Sequence, residues 1–230
     1  MNQSSSTWIK MCGTTNLADA QACVEAGVDA LGFIFAESPR EITPTKAGEI
    51  SRVVPPHIER IGVFVNEPEE KVLGIVREAS LTGVQLHGDE SPAYVKQLLR
   101  MAGEFPLRII KAIPADFGRN MGLGYFDGGE AFVDAVMVDS GSVQMRGGTG
   151  QVFDWLRSGD FIMWLEQRSK LIVAGGLNPQ NVSAAVSLFH PYGVDVVTGV
   201  EEKHGKKDPA KIRAFIHAVR TAEKARSARR

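Results

Sequence analysis

Cys12 and Asp139 are the residues of this 230-residue chain best suited by type and position to proton transfer. A thiolate can serve as a general base, and a protonated carboxyl as a general acid. Each lies near the end of a short apolar run, Trp8–Gly13 for the cysteine and Ala135–Ser140 for the aspartate. Both residue types also have plainer uses. A lone buried cysteine packs as a small hydrophobe, and an aspartate after a strand often caps the next helix. Other polar residues end runs of the same kind: Asn66, His87 and Lys111, with Ser38-Pro39-Arg40 just beyond another. Three glycine clusters, Gly147-Gly148-Thr149-Gly150, Gly175-Gly176 and Thr198-Gly199, would let backbone N–H groups approach an anion closely. An acid, a base and an anion cradle together describe proton transfer on a phosphorylated small molecule.

The elements that must carry these residues alternate. Strand patterns occur at Trp8–Gly13, Ala30–Ala36, Arg60–Asn66, Gly83–Gly88, Leu107–Ile113, Ala135–Ser140, Leu171–Gly176 and Val194–Gly199. Their spacing of roughly 20–30 residues leaves room for one helix between each pair, as parallel strands require. Helix starts and stops fit between them: Thr14-Thr15-Asn16 before Leu17–Ala26 and Gly27 after it, Pro68 before Glu69–Ala79, and Pro92 before Ala93–Met101. Asn178-Pro179 predicts a helix through Leu188, and Asp208-Pro209 one through Ala222. Pro114–Glu130, rich in glycine, has no clear pattern. Eight β-then-α units predict a single closed (βα)8 TIM barrel. An open doubly wound sheet is the rival. It would place a G-x-G-x-x-G turn after the first strand, where Gly13-Thr14-Thr15 stands instead.

In such a barrel the active site lies at the C-terminal ends of the strands, where these polar residues collect. Strand parity puts Lys10 on the same face as Cys12, and Gln85 on the same face as His87. The loops after strands 7 and 8 are a recurrent phosphate site on this fold. Strands 1 and 6 stand three steps apart around the ring. Inward side chains from them approach to about 8–10 Å, room for one sugar between an acid and a base. Cys23, inside the first helix, is expected to pack.

Composition bounds the remaining possibilities. Apolar residues make up 43% of the chain and charged residues 23%, a globular balance. With 26 basic and 27 acidic side chains the net charge is −1, so no global field recruits nucleic acid. Two cysteines make no disulfide framework and fit a cytoplasmic location. No run is long and apolar enough for a membrane span. Residues 1–7 are expected to form a flexible tail, 8–222 the catalytic barrel and 223–230 a basic tail.

Several motifs resemble those of the phosphoribosylanthranilate isomerases of tryptophan biosynthesis. They are Lys10-Met11-Cys12-Gly13, Ser38-Pro39-Arg40, Gly62-Val63-Phe64-Val65-Asn66 and Val84-Gln85-Leu86-His87-Gly88. Val138-Asp139-Ser140, Gly147–Gly150 with Phe153-Asp154-Trp155, and Ala174–Pro179 continue the series, and Thr198–Glu201 with Gly205–Asp208 completes it. The resemblance implies an Amadori rearrangement of N-(5-phosphoribosyl)anthranilate without cofactor or metal. It implies Asp139 as the acid that opens the ribose ring and Cys12 as the base that takes the C2 proton. It sets Arg40 against the anthranilate carboxylate and Gly148, Gly150, Gly175, Gly176, Thr198 and Gly199 around the phosphate. Lys10, Gln85, His87 and Asp195 match recurrent family positions without assigned roles. Thr198 stands where serine is usual, and Pro114–Glu130 carries no family signature. The partner implied is the phosphosugar alone, with neither nucleic acid nor membrane, acting on a monomer or homodimer. The histidine-pathway isomerase of the same barrel resembles a two-aspartate enzyme, and Cys12 argues against it. A metal-dependent phosphosugar epimerase would want more histidines at the strand ends. A non-catalytic phosphate-binding scaffold would not need both Cys12 and Asp139.

Overall fold

The computed structural model describes residues 6–115, 125, 133–139 and 155–227, with 155–160 and 226–227 given by their backbone path alone. Eight parallel strands close in chain order: β1 (Trp8–Met11), β2 (Ala30–Ile34), β3 (Glu59–Phe64), β4 (Gly83–Leu86), β5 (Arg108–Pro114), β6 (Ala135–Asp139), β7 (Leu171–Val173) and β8 (Gly193–Val196). The first and last strands pair in register, Trp8 opposite Gly193 and Lys10 opposite Asp195. That seam decides for the closed barrel, because an open sheet would leave β1 and β8 apart. A small antiparallel hairpin, β9 (Glu201–Lys203) and β10 (Lys206–Lys207), follows β8.

Local chemistry sets the helix ends. In α1 (Leu17–Ala26) the Asn16 side chain accepts from the Asp19 N–H, and Gly27 stops the helix at φ 91°. Thr43 caps α2 (Pro44–Val53), Pro68 precedes α3 (Glu69–Glu78), and Ser91 caps α4 (Pro92–Ala102). Three helices follow: α5 (Trp155–Glu166), α6 (Val182–Phe189) and α7 (Pro209–Ser227).

The ends differ from the sequence expectations in three places. Helix α6 begins at Val182 rather than at Asn178. The Asn178 carboxamide oxygen accepts from the N–H groups of Gln180 at 2.9 Å and Asn181 at 3.1 Å, folding a local turn first. All the strands but β5 and β6 stop two or three residues short of the apolar runs, so Cys12, His87 and Thr198 lie beyond the paired ladder. At the base of the barrel, Thr7 and Glu223 are not tails. Thr7 is buried, its N–H donates to Glu223, and its carbonyl accepts from Arg220 Nη1 at 2.8 Å. Helix α7 accordingly runs on to Ser227.

Alternation along the strands builds two cores. Outward residues such as Ile9, Met11, Leu31, Phe33 and Val84 pack under the helices. Inward residues, among them Trp8, Ile61, Ile110, Met137 and Ile172, fill the lower barrel. Each large side chain so buried contributes about 1.5–3 kcal/mol. The floor is closed by Arg108, whose guanidinium lies 4.9 Å from the Trp8 ring and 5.3 Å from the Tyr192 ring while pairing with Glu59 at 2.5 Å. Above this apolar fill the inward residues turn polar: Lys10, Gln85, Asp195 and Asp139.

Candidate active site

The polar layer opens into a cavity of about 300 Å³ at the C-terminal ends of the strands. Cys12, Gln85, His87, Asp139 and Asp195 line its floor and walls, and Arg40 and His204 stand among the loop residues around it. A small second pocket adjoins it, lined by Gly175, Gly176 and Thr198 together with Asp139 and Asp195. Cys12 and Asp139 therefore share one cavity, and Asp139 faces both spaces.

A chain of polar contacts crosses the barrel beneath the cavity. Lys10, fully buried, donates from Nζ to Asp195 Oδ1 at 2.7 Å and to Gln85 Oε1 at 2.9 Å. Its charge also acts on the neighbouring Cys12 side chain. Gln85 Nε2 lies 2.8 Å from His87 Nδ1, and His87 Nε2 lies 3.6 Å from Asp139 Oδ2. Burial pushes the Cys12 thiol above its ordinary range, and the Lys10 and Lys207 ammonium groups pull it back only in part. Burial works against the Lys10 charge, yet Asp195 and the Cys12 sulfur hold it protonated above the usual lysine value. Burial lowers His87, and the opposing pull of Asp139 does not restore it.

The loops are tied to one another around the mouth. Arg40, nearly buried, donates from Nε to Glu201 Oε1 at 2.9 Å and from Nη2 to Glu201 Oε2 at 2.7 Å. This fork joins the loop after β2 to the β9–β10 hairpin and leaves Nη1 as the guanidinium nitrogen outside the pair. Lys207, buried in the same hairpin, donates from Nζ to the Cys12 carbonyl at 2.5 Å and to the Val197 carbonyl at 3.3 Å. It fixes the ends of β1 and β8 from behind.

The family model for N-(5'-phosphoribosyl)anthranilate isomerase matches residues 9–218, nearly the whole described barrel. The chain belongs to the phosphoribosylanthranilate isomerase family. The isomerase of Desulforudis audaxviator is 43% identical over 217 residues, covering 94% of this chain and 99% of that protein. That of Pelobacter propionicus is 41% identical over 214 residues, covering 92% and 95%. The crystal structure of the Thermotoga maritima isomerase superposes with a TM-score of 0.79 at 38% identity, over 94% of this chain and 99% of that one. An isomerase structure solved with reduced 1-(o-carboxyphenylamino)-1-deoxyribulose 5-phosphate gives 0.77 at 34% identity, with the same coverage.

Against the isomerase expectations, the structure brings Cys12, Asp139 and Arg40 to one cavity and Gly175, Gly176 and Thr198 to the space beside it. Gly199 does not line that space. A Cβ built on it would lie 2.0 Å from the Leu177 carbonyl oxygen, so this glycine lets the loops after β7 and β8 touch. Gly148 and Gly150 lie outside the described residues. Lys111 lies in the middle of β5 rather than at its end and points out of the barrel, where Nζ donates to the Gly88 carbonyl at 2.7 Å and pairs with Glu90 at 2.9 Å. Asn66 serves the same neighbourhood, its side chain accepting from the Asp89 N–H at 2.7 Å. Cys23 packs in the core, and burial raises its thiol to about 12. Sequence reasoning gave no part to Glu201, Lys207 or His204. The first two stood in a quoted motif, and the signal was a charge alternation in a short loop, Glu201-Glu202-Lys203 to Lys206-Lys207.

Proposed function

We infer that this chain converts N-(5-phosphoribosyl)anthranilate to 1-(2-carboxyphenylamino)-1-deoxyribulose 5-phosphate, the isomerisation step of tryptophan biosynthesis. The observation that carries the assignment of roles is that Cys12 and Asp139 line one cavity between Arg40 and the glycine-lined pocket. Asp139 gives its proton to the ribose ring oxygen as the C1–O bond breaks, and the anthranilate nitrogen lone pair forms the Schiff base. The cationic nitrogen acidifies the C2–H bond. Cys12 takes that proton, and the electrons left behind form the enolamine. Tautomerisation returns a proton to C1 and leaves the ketone at C2, so atoms and charge balance without an added reagent.

Arg40 binds the anthranilate carboxylate through the nitrogen that Glu201 leaves free, because a guanidinium pairs oxygens in its plane. The phosphate rests on the backbone of Gly175, Gly176 and Thr198, with Gly199 holding the two loops together; the family resemblance adds Gly148 and Gly150 as phosphate ligands. Near-neutral charge and two unpaired thiols support a cytoplasmic enzyme that meets only a small phosphosugar, as monomer or homodimer.

Turnover of phosphoribosylanthranilate generated in situ, followed by loss of its fluorescence, tests this reading. The native chain should consume it. Cys12→Ala and Asp139→Ala should each lose about 10²–10⁴-fold in kcat while keeping phosphosugar affinity. No consumption by a folded native sample would overturn the substrate, and near-normal turnover by either variant would overturn its role.

A further inference from the structure

Lys10 touches both halves of this reaction, and its contacts exceed what packing requires. An ammonium has three donors and no acceptor. One goes to Asp195 and one to Gln85, and the same charge acts on the Cys12 sulfur beside it. A buried ion pair is costly to desolvate, and apolar side chains fill such space at least as stably. The glycine on the neighbouring strand makes the arrangement possible. A Cβ on Gly32 would lie 2.6 Å from Cys12 Sγ and 3.0 Å from Lys10 Cε, so both side chains lie against the same α-carbon.

Donor and acceptor identities then propagate across the barrel. Because Lys10 only donates, Gln85 must present its oxygen to it and its amide nitrogen away from it. That nitrogen lies 2.8 Å from His87 Nδ1, which must accept. Burial keeps the ring from charging, with Lys111 and Lys10 adding to the effect and Asp139 opposing it. A neutral ring that accepts at Nδ1 carries its hydrogen on Nε2, the atom 3.6 Å from Asp139 Oδ2.

We propose that Lys10 is a positioning residue for both proton transfers, stabilising the Cys12 thiolate directly and, through Gln85, fixing the His87 tautomer that faces Asp139. The proposal rests on the acid–base reading above. Lys10 keeps its own protons throughout: the C2 proton goes to the Cys12 sulfur and the ring-oxygen proton comes from Asp139. The charges that face the sulfur are Lys10 on its own strand, Asp195 on β8 and Lys207 on β10. Across the cavity stand His87 and Asp139, with Glu37, Arg40 and His204 on the loops. Asp195 opposes the thiolate, so Lys10 both compensates that carboxylate and supplies the favourable field.

The test uses a Cys23→Ala background, in which Cys12 is the one thiol. Three readouts are taken: the pH dependence of iodoacetamide alkylation, the pH profile of kcat, and the His87 tautomer from two-bond ¹H–¹⁵N histidine spectra. In Lys10→Met the thiol titration and the acid limb of kcat should both move up by about 1–3 pH units. At neutral pH this is a loss of about tenfold or more in kcat, and the single Nε2–H signature of His87 should give way to a mixture. Lys10→Arg should restore part of each change. The double variant Lys10→Met/Asp195→Asn leaves no unpaired charge, so it should fold, checked by circular dichroism, and still lack the single tautomer. An unmoved thiol titration in Lys10→Met, or an unmoved tautomer in the folded double variant, would overturn the proposal. Failure of the base assignment would show elsewhere, as turnover retained by Cys12→Ala.

Discussion

Replacing Gly32 with alanine puts one methyl group against the sulfur of Cys12, the proposed base, and tests whether its position matters. The added carbon would sit 2.6 Å from Cys12 Sγ, whereas ordinary contact begins near 3.4 Å, so the sulfur must retreat by about 0.8 Å. The Cys12 Cα and Lys10 Cε, each at 3.0 Å, block the other ways out. Overpacking of this kind costs about 1–3 kcal/mol. At this chain length each kcal/mol lowers the melting temperature by about 2–4 °C. Misplacing a reacting group by nearly 1 Å costs about 10²-fold in rate. The variant is therefore expected to stay folded, to melt several degrees lower and to lose about two orders of magnitude in kcat. KM should change little, because the methyl meets Cys12 and Lys10, neither of which is proposed to hold the phosphate or the carboxylate. Steady-state fluorescence kinetics beside a thermal melt read both quantities. A folded Gly32→Ala enzyme with kcat within about a factor of two of native would refute the placement of Cys12 as the base.

Two further variants probe the loops. Burial alone would raise the Glu201 carboxyl, but its hydrogen bonds with Arg40 and the nearby Lys207 charge outweigh that and hold it below the ordinary 4.5. Its stabilisation is complete above that value and is lost as pH falls through the lowered folded value, so melting temperature should be level near neutrality and decline in acid. Glu201→Gln should cost about 3–5 kcal/mol, because two buried cations lose their partner, and should flatten the acid decline. An unchanged decline in melts between neutral and acid pH would show that other groups control it. Gly199→Ala would drive its methyl into the Leu177 carbonyl and the Asn178 backbone, which cannot swing aside. It should raise KM and weaken competition by inorganic phosphate with a smaller effect on kcat, and unchanged phosphate inhibition would contradict that.

Much of the barrel was legible in the chain because strand and helix periodicities are local. The eight runs, their order and the helix signals at Asn16, Gly27 and Pro92 all follow from near neighbours. Boundaries were less legible where side chains compete with the ladder, as Asn178 does ahead of α6. Cys12, Asp139 and Arg40 could be singled out by residue type and motif, and the fold brings them together. Glu201 and Lys207 could not be given work from sequence, because their partners Arg40 and Cys12 lie more than 150 positions away. The outward turn of Lys111 was likewise hidden: strand parity separates it from Ile110 and Ala112, which fill the barrel.

The seam between β1 and β8 ties the timing of function to the arrival of the eighth strand. Asp195 is made 185 residues after Lys10, yet the two pair across that seam. Lys207, which braces the Cys12 carbonyl, is made later still. Until the eighth strand and the hairpin after it have emerged, Lys10 lacks its counter-charge and Cys12 its brace, and the long-range contacts that close the ring cannot form. A nascent chain thus holds the proposed base before the groups that position it are in place. Closing the ring is therefore a condition of the proposed chemistry, so turnover reports on a closed barrel.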